Sequence, residues 1–433
     1  MACVCRICAF HGKGRGKIIG TTLGIRRLIF LAAKRLALAV GFLPAVILRL
    51  LNFRVLPVNF SRIGHLALEV DCYLKEERLG LHPGYKAVVC APVDKVANQR
   101  LLEYWSFYVR VIGSPWICSA LKPITSQKIL QFDVQRYGSV INDTAAYVAL
   151  QKQWADRPPL LSIKPDDTAR GEQRLLELGV PAGAWFICVH SREGGYSPQD
   201  EQYHSFRNSD IDAYIPAMKA ITERGGWCVR IGDPSMKRLS SMKNVVDYAH
   251  HPLRADWMDL FLCARCRFFL GNTSGAFFMA SVFGVPVALA NIVPVSTTLP
   301  YGTKDLGIPK LLWSVKEQRL LTFPEILVSR IGDMRFSSEY LQAGVEVIDN
   351  APEDILGLTL EQLERTEGPS RCSAIALEMQ EGSIIYSSVD NALQERFKAL
   401  MCPGHYTYGS ASQIGRDFLR KYAHLLTNNQ TSL

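Results

Sequence analysis

Between Arg267 and Val295 the chain reads RFFLGNTSGAFFMASVFGVPVALANIVPV. Two apolar runs of buried-strand character bracket a polar pentapeptide, Gly271-Asn272-Thr273-Ser274-Gly275, and a short stretch of small residues follows it. An apolar run, a tight turn, a helical stretch and a second apolar run make the βαβ signature of a parallel sheet. The same alternation extends along most of the chain, with no internal repeat or low-complexity block. It places the protein in the α/β class before any single residue is weighed.

In the first half, strands are expected at Phe53 to Phe60, Lys86 to Cys90 and Phe107 to Ile112. The loop Ser61-Arg62-Ile63-Gly64-His65 and a helix through Tyr73 follow the first strand, and a helix over Lys95 to Tyr104 follows the second. The stretch RPPLLSIKPDDTARG, Arg157 to Gly171, has three prolines and no period, and marks a boundary. Its paired carboxylates read as solvated.

Beyond it come helices at Glu172 to Leu178, Asp210 to Arg224 and Asp256 to Ala264, and strands at Trp185 to His190 and Trp227 to Ile231. The helix opened by DWMD places Asp at its cap and again three residues on. After the strand Phe268 to Leu270, a helix capped by Thr273 or Ser274 should run to about Phe283, where Gly284 stops it. The tail from Pro352 reads as mainly helical and ends in DFLRKYAHLL. The economical architecture is two Rossmann-like domains facing each other across a cleft, residues 53–165 and 166–350, with a helical extension over 351–433. One large doubly wound sheet also fits the pattern.

The 433 residues, 48% hydrophobic and 21% charged, suit a folded protein of two-domain size. The net charge of +9 is uneven. Residues 1–68 hold eleven Lys and Arg and no Asp or Glu, which leaves the rest of the chain at −2. Residues 1–52 therefore read as a basic, apolar helical segment. Its longest uncharged apolar run, Leu36 to Leu48, is 13 residues and contains Pro44, against the ~20 that a spanning helix needs. A helix lying in the plane of a membrane surface, its Lys and Arg meeting anionic lipid, fits better. Nucleic acid is not an expected partner, because the arm carries no binding motif and the remainder is slightly acidic. The 12 cysteines lack regular spacing. Cys3/Cys5/Cys8 and Cys263/Cys266 do not make two well-spaced ligand pairs, so no metal is expected.

In an open parallel sheet ligands sit where strands end and helices begin. Three such exits carry suitable chemistry. The turn Asn272-Thr273-Ser274-Gly275, at a helix start, offers N–H groups to an anion. Arg192, two residues past a strand end, suits bidentate phosphate binding. Arg207-Asn208 adds a polar cluster, and the exit Val229 to Asp233 supplies Arg230 and Asp233. Asp210-Ile211-Asp212 has the spacing of a metal-binding acidic pair, but helix capping accounts for it.

The succession VHSREGGY, YHSFRNSDIDAY, RIGDP, FFLGNTSGAFFMASVFGVPV and DNAPEDIL resembles a family of bacterial glycosyltransferases linked to surface-carbohydrate loci. More distantly it resembles the GT-B superfamily, with its fucosyltransferase-like and heptosyltransferase-like members. The resemblance covers roughly Arg54 to Leu426 and is strongest from Arg170 to Ile355. It implies a GT-B-like pair of domains, a nucleotide sugar held mainly by the C-terminal one, and a last helix crossing back to the first domain, a role DFLRKYAHLL could fill.

The implied activity is metal-independent and cofactor-free transfer of a sugar from a nucleotide-sugar donor to a surface-glycan or lipid-linked acceptor. The enzyme would be cytoplasmic and peripheral to the inner membrane. Arg192 and the turn 272–275 would stabilise the nucleotide leaving group, with Arg230 and Asp233 beside them. His65, just past the first strand, would be the base, with Glu69 one turn on orienting it or acting instead. A sugar-nucleotide epimerase of the same fold, or a non-catalytic glycan- or nucleotide-binding protein, are the alternatives.

Overall fold

The computed structural model describes residues 38–138, 145–196, 198–296, 301–367, 387–403 and 408–427, with residues 32, 35, 36 and 405 besides. The cluster Cys3/Cys5/Cys8 and most of the basic arm lie outside the described residues.

The N-terminal part is a parallel three-stranded sheet in chain order: β1 (Phe53–Val55), β2 (Lys86–Cys90) and β3 (Arg110–Ile112). Helices Ile63–Arg78 and Gln99–Trp105 make its crossovers. β1 stops well short of Phe60. Pro57 has no N–H for the ladder, and Val58 and Phe60 donate locally, to the carbonyls of Leu56 and Val58 at 2.8 and 3.0 Å.

The larger sheet is parallel throughout and has seven strands: β4 (Phe186–Val189), β5 (Trp227–Arg230), β6 (Val245–Asp247), β7 (Phe269–Gly271), β8 (Val287–Ile292), β9 (Leu306–Pro309) and the late β13 (Gln413–Ile414). All residues of β4, β7, β8 and β9 are buried, as expected of strands covered on both faces. A small antiparallel sheet of β10 (Leu311–Ser314), β11 (Arg319–Leu320) and β12 (Val345–Ile348) stands beside it. In space the large sheet runs β13-β9-β8-β7-β4-β5-β6. The chain therefore steps from β4 outward through β5 and β6, then returns to the other side of β4 with β7. The gap between β4 and β7 is the topological switch point.

The two α/β parts are in direct contact. Leu260, Val282 and Phe283 of the C-terminal part join the core built on Leu66, Tyr73 and Trp105. The boundary stretch is partly helical, with Pro165–Glu177 a helix whose Asp167 is buried and not solvated as expected. Arg100 grips its carboxylate at 2.7 Å and the Tyr104 hydroxyl donates to it at 2.5 Å. Burial works to raise that carboxyl, but the bonds from Tyr104 and Arg100 hold it below its ordinary value.

The expected crossing of the last helix back to the N-terminal domain is not what is found. Phe418, Leu419, Leu425 and Leu426 are buried in the C-terminal core, and the helix Arg416–Lys421 packs on Pro352–Thr366 and Ser388–Ala399. β13 first leads the chain along the edge of the large sheet, and so holds this last helix on the C-terminal side. Cys263 and Cys266 are buried free thiols.

A helix over 38–50 lies against the segment 123–130. Gly41 meets the Pro123 backbone so closely that a methyl group would collide, and Ala45 is buried with Val55 and Leu130. The Gln127 amide donates to the Leu38 carbonyl at 2.7 Å. The opposite face carries Leu36, Val40, Leu43, Ile47 and Leu50, all exposed. Spaced by four, three, four and three residues, they form one apolar stripe. Among the described residues no helix is long and apolar enough to cross a membrane.

The helix Asp256–Arg265 begins after Ala255, not at an aspartate cap, and Asp259 is buried within it. Its Oδ1 has no partner, and the nearest cation, Arg254, stands 3.7 Å from Oδ2. Burial pushes the carboxyl up to about 7. The native state then binds a proton that the unfolded chain has shed, so stability falls as pH rises from about 4 to 7. Asp259→Asn should flatten that slope and raise stability at pH 8 by about 2–4 kcal/mol, read by denaturant titration at pH 5 and 8. An unchanged slope would show that Asp259 ionises freely in the folded protein.

Candidate functional site

The exits of β4 and β7 meet at the switch point and are tied together there. Asn272, fully buried, accepts the Arg192 N–H at Oδ1 (2.9 Å). Its amide donates to the Arg207 carbonyl at 3.1 Å and the Ser209 hydroxyl at 3.0 Å. Thr273 and Ser274 are buried too, and their hydroxyls accept the N–H groups of Val293 (3.2 Å) and Ala276 (3.3 Å). With these side chains holding the loop, the following helix spans only Phe277–Ser281. The expected helix from Thr273 or Ser274 to Phe283 is corrected accordingly: five residues make no substantial dipole, and residues 272–276 are a knotted turn.

Positive charge at this point comes from side chains. Arg207 Nη2 donates to the Thr273 carbonyl at 3.0 Å, while its Nε is buried with no partner. Burial, then the neighbouring charges of Arg192 and Arg62, lower its guanidinium to about 10. Burial likewise lowers Arg192, whose Nη1 bonds Asn208 and the His204 carbonyl. Arg62 reaches across from the N-terminal part to Asp200 at 2.9 Å. Glu201 Oε2 lies 3.9 Å from Arg192, too far for a hydrogen bond. Three guanidiniums thus crowd against the two carboxylates of Asp200 and Glu201, a surplus of positive charge that a bound anion would relieve. Behind them Lys310, buried, donates to the carbonyls of Phe206 and Asn208 and to Asp349, at 2.9, 2.6 and 2.6 Å. It fixes the 206–208 loop that presents Arg207.

The N-terminal part faces this turn with the start of helix Ile63–Arg78. A Cβ on Gly275 would lie 2.8 Å from the Gly64 nitrogen, so the two backbones touch. Gly275 therefore serves this close approach, and the anticipated cleft is closed at that spot. Next to the contact, His65 Nδ1 and Glu69 Oε1 are 2.7 Å apart, and Glu69 Oε2 accepts the Asn59 N–H at 3.0 Å. Glu69 is buried, whereas the His65 ring is 36% exposed. Glu69 thus holds Nδ1 in its N–H form and leaves the Nε2 lone pair for other chemistry.

Two expected residues lie elsewhere. Arg230 ends β5 fully buried, paired with Asp247 on the adjacent β6 (3.0 Å) and with Glu193 (3.4 Å). It braces the sheet and cannot reach a ligand. Asp233 closes a local turn, accepting the Ser235 N–H at 2.9 Å. Conversely, sequence reasoning left Arg62 without a role and saw Arg207 only as part of a polar cluster. Their signal was present, an arginine in each of the loops SRIGH and HSFRNS, but nothing local says that the loops meet.

No protein-family model matches the chain, and comparison with curated proteins finds no match. Among solved structures, one similar chain is a glycosyl transferase family 9 protein from Veillonella parvula DSM 2008, 12% identical, with a TM-score of 0.27 over 52% of this chain. The match spans about three fifths (61%) of that protein's length. Another is ADP-heptose LPS heptosyltransferase II of E. coli, 12% identical, with a TM-score of 0.37 over 55% of this chain and 84% of that one. Likenesses this faint carry no argument about chemistry, which rests on the residues of the site.

Proposed function

We propose that the protein is a glycosyltransferase that takes a sugar from a nucleotide-sugar donor and passes it to a glycan or lipid-linked acceptor at a membrane surface. The observation that carries this reading is the bond from the Arg192 N–H to Asn272 across the switch point, with Arg62, Arg192 and Arg207 gathered around it. An open parallel sheet binds its ligand at that place, and clustered guanidiniums suit a diphosphate. Arg192 and Arg207 hold the phosphates and take up the charge that develops as the glycosidic bond breaks. Fixed cations can do this without a metal. His65, oriented by Glu69, removes the proton from the acceptor hydroxyl. The turn 272–275 positions the arginines through its side-chain bonds and does not itself cradle the phosphate.

The apolar stripe of the helix 38–50 supports the membrane part of the reading. It faces away from the protein, with Arg35 and Arg49 on the same helix, and Trp116 and Ile117 of the helix Pro115–Thr125 are also exposed. An exposed apolar stripe in a basic segment matches an anionic bilayer surface. The sugar-nucleotide epimerase and the pure binding module remain the competing readings, and neither gives this surface a purpose.

Thermal unfolding of the full-length protein with UDP, GDP, CMP, ADP and their sugar conjugates tests the donor site. A nucleotide at ~100 times its dissociation constant should add about 2.7 kcal/mol. Arg192→Ala and Arg207→Ala should abolish the gain, and Asp233→Ala should keep it. No stabilisation by any nucleotide would remove the donor assignment. Stabilisation that survives both arginine substitutions would move the site elsewhere.

A further inference from the structure

Of the three clustered arginines, Arg62 is the one that belongs to the N-terminal part, and its side chain is the most exposed. It is the N-cap residue of helix Ile63–Arg78. Its N–H donates to the Asn59 carbonyl at 3.1 Å and its carbonyl accepts the Leu66 N–H at 3.0 Å, so its backbone is fixed. Two residues on, Gly64 touches Gly275, and Arg207 holds the Thr273 carbonyl of the same turn. Arg62 and Arg207 therefore stand on the N-terminal and C-terminal sides of one turn.

The Arg62 guanidinium itself is held by little. Nη2 lies 3.1 Å from Oδ1 and 2.9 Å from Oδ2 of Asp200, a single nitrogen straddling the carboxylate where a fork of two nitrogens is the strong arrangement. Among the described residues Nε and Nη1 have no bonded partner, and the side chain is 53% exposed. An ion pair open to water in this way contributes little and is readily exchanged. Asp200, in helix Pro198–His204, is the less exposed partner. Its charge favours the charged forms of Arg192 and Arg207, whereas the charge of Arg62 works against both. Asp200 is thus a counter-ion that all three arginines share. A diphosphate carries more negative charge than one carboxylate and offers oxygens to several N–H groups at once. It would take the place of Asp200 as the partner of Arg62 and engage the spare Nε and Nη1 donors.

We propose that Arg62 is a third ligand of the donor's diphosphate, parked on Asp200 until the donor arrives, and that Asp200 competes with the phosphate for it. This role rests on the reading of the arginine cluster as the donor's phosphate site. It adds that the site is completed from the N-terminal part: the helix start that carries His65 also grips the donor, so base and leaving group are referred to one element.

The probe is inorganic pyrophosphate, titrated calorimetrically into the full-length protein at constant ionic strength. Arg62→Gln should weaken binding about tenfold or more, because it removes a charge-assisted contact. Asp200→Asn should tighten binding about threefold or more, because it frees Arg62 and removes a like charge. Arg62→Lys keeps the charge without the fork and should fall between wild type and Arg62→Gln. Both side chains reach the surface, so the variants should fold, which thermal unfolding checks. A pair that only strapped the two parts together would respond alike to either substitution, with lower thermal stability and with pyrophosphate affinity unchanged or reduced in both. That result would overturn the proposal, as would weaker binding by Asp200→Asn alone. Arg192→Ala separates this role from the reading beneath it. If Arg192→Ala abolishes pyrophosphate binding and Arg62→Gln leaves it at the wild-type level, only the role of Arg62 falls. If the wild type binds neither pyrophosphate nor any nucleoside diphosphate, the donor site falls and the role of Arg62 with it.

Discussion

Alanine at His65 should reduce sugar transfer about 10²–10⁴-fold while nucleotide-induced stabilisation stays at the wild-type level. The expectation comes from the pairing of a half-exposed ring with a buried carboxylate. Glu69 is fixed from two sides, by His65 Nδ1 and by the Asn59 N–H, so the imidazole is held in one tautomer and one orientation. Its Nε2 can then take a proton from an acceptor hydroxyl as the new bond forms. Glu69→Gln keeps the contact but not the charge, and should lose less than the alanine variant, with a changed pH profile of turnover. A structural histidine would behave differently: its loss would lower stability and leave turnover per folded molecule alone. Turnover of His65→Ala within a few-fold of wild type would end the base assignment and return the choice to Glu69 or to a binding protein.

Two charges on the helix 38–50 should release the protein from membranes. The double variant Leu43→Glu/Ile47→Glu replaces two of the five exposed residues of the stripe with groups that cannot enter the acyl boundary. Each Leu or Ile that is fully buried contributes ~1.5–3 kcal/mol, so losing two should weaken partitioning about 10²-fold or more. Flotation with vesicles containing anionic phosphatidylglycerol reads the effect, and neutral vesicles measure the part due to Arg35, Arg49 and Arg54. The buried side of the helix, Gly41 and Ala45, is untouched, so the fold should stand. Equal flotation of variant and wild type would show that the stripe serves something other than lipid.

Much of this architecture was legible along the chain. Apolar runs such as FICV and VALANI are buried on both faces, and that requires an uninterrupted apolar sequence between turns. β2 has the expected bounds, Lys86–Cys90, because alternating burial and clear flanking turns define it locally. β1 does not, since Pro57 removes a donor in mid-run. The helix after β7 is shorter than its sequence suggests because of bonds between residues that are not chain neighbours: Thr273 bonds Val293 and Asn272 bonds Arg207. The Thr273 hydroxyl is spent on that long-range bond, the Ser274 hydroxyl takes only the local Ala276 N–H, and the helix is confined to Phe277–Ser281.

The sequence by itself determined the α/β class, the places where strands end in polar turns, the basic and apolar first segment, and the pairing of His65 with Glu69 one helical turn apart. Those are properties of neighbours in the chain. Only the tertiary structure decided that β7 returns beside β4, that Gly64 and Gly275 touch, that Arg62 and Arg207 converge on Arg192 while Arg230 is sealed inside, and that Asp71 keeps one oxygen unbonded. Strand order and burial depend on contacts between residues far apart in the chain, and the side chains of Arg192 and Arg230 read alike until packing gives one a carboxylate partner on the next strand and the other a surplus of positive charge.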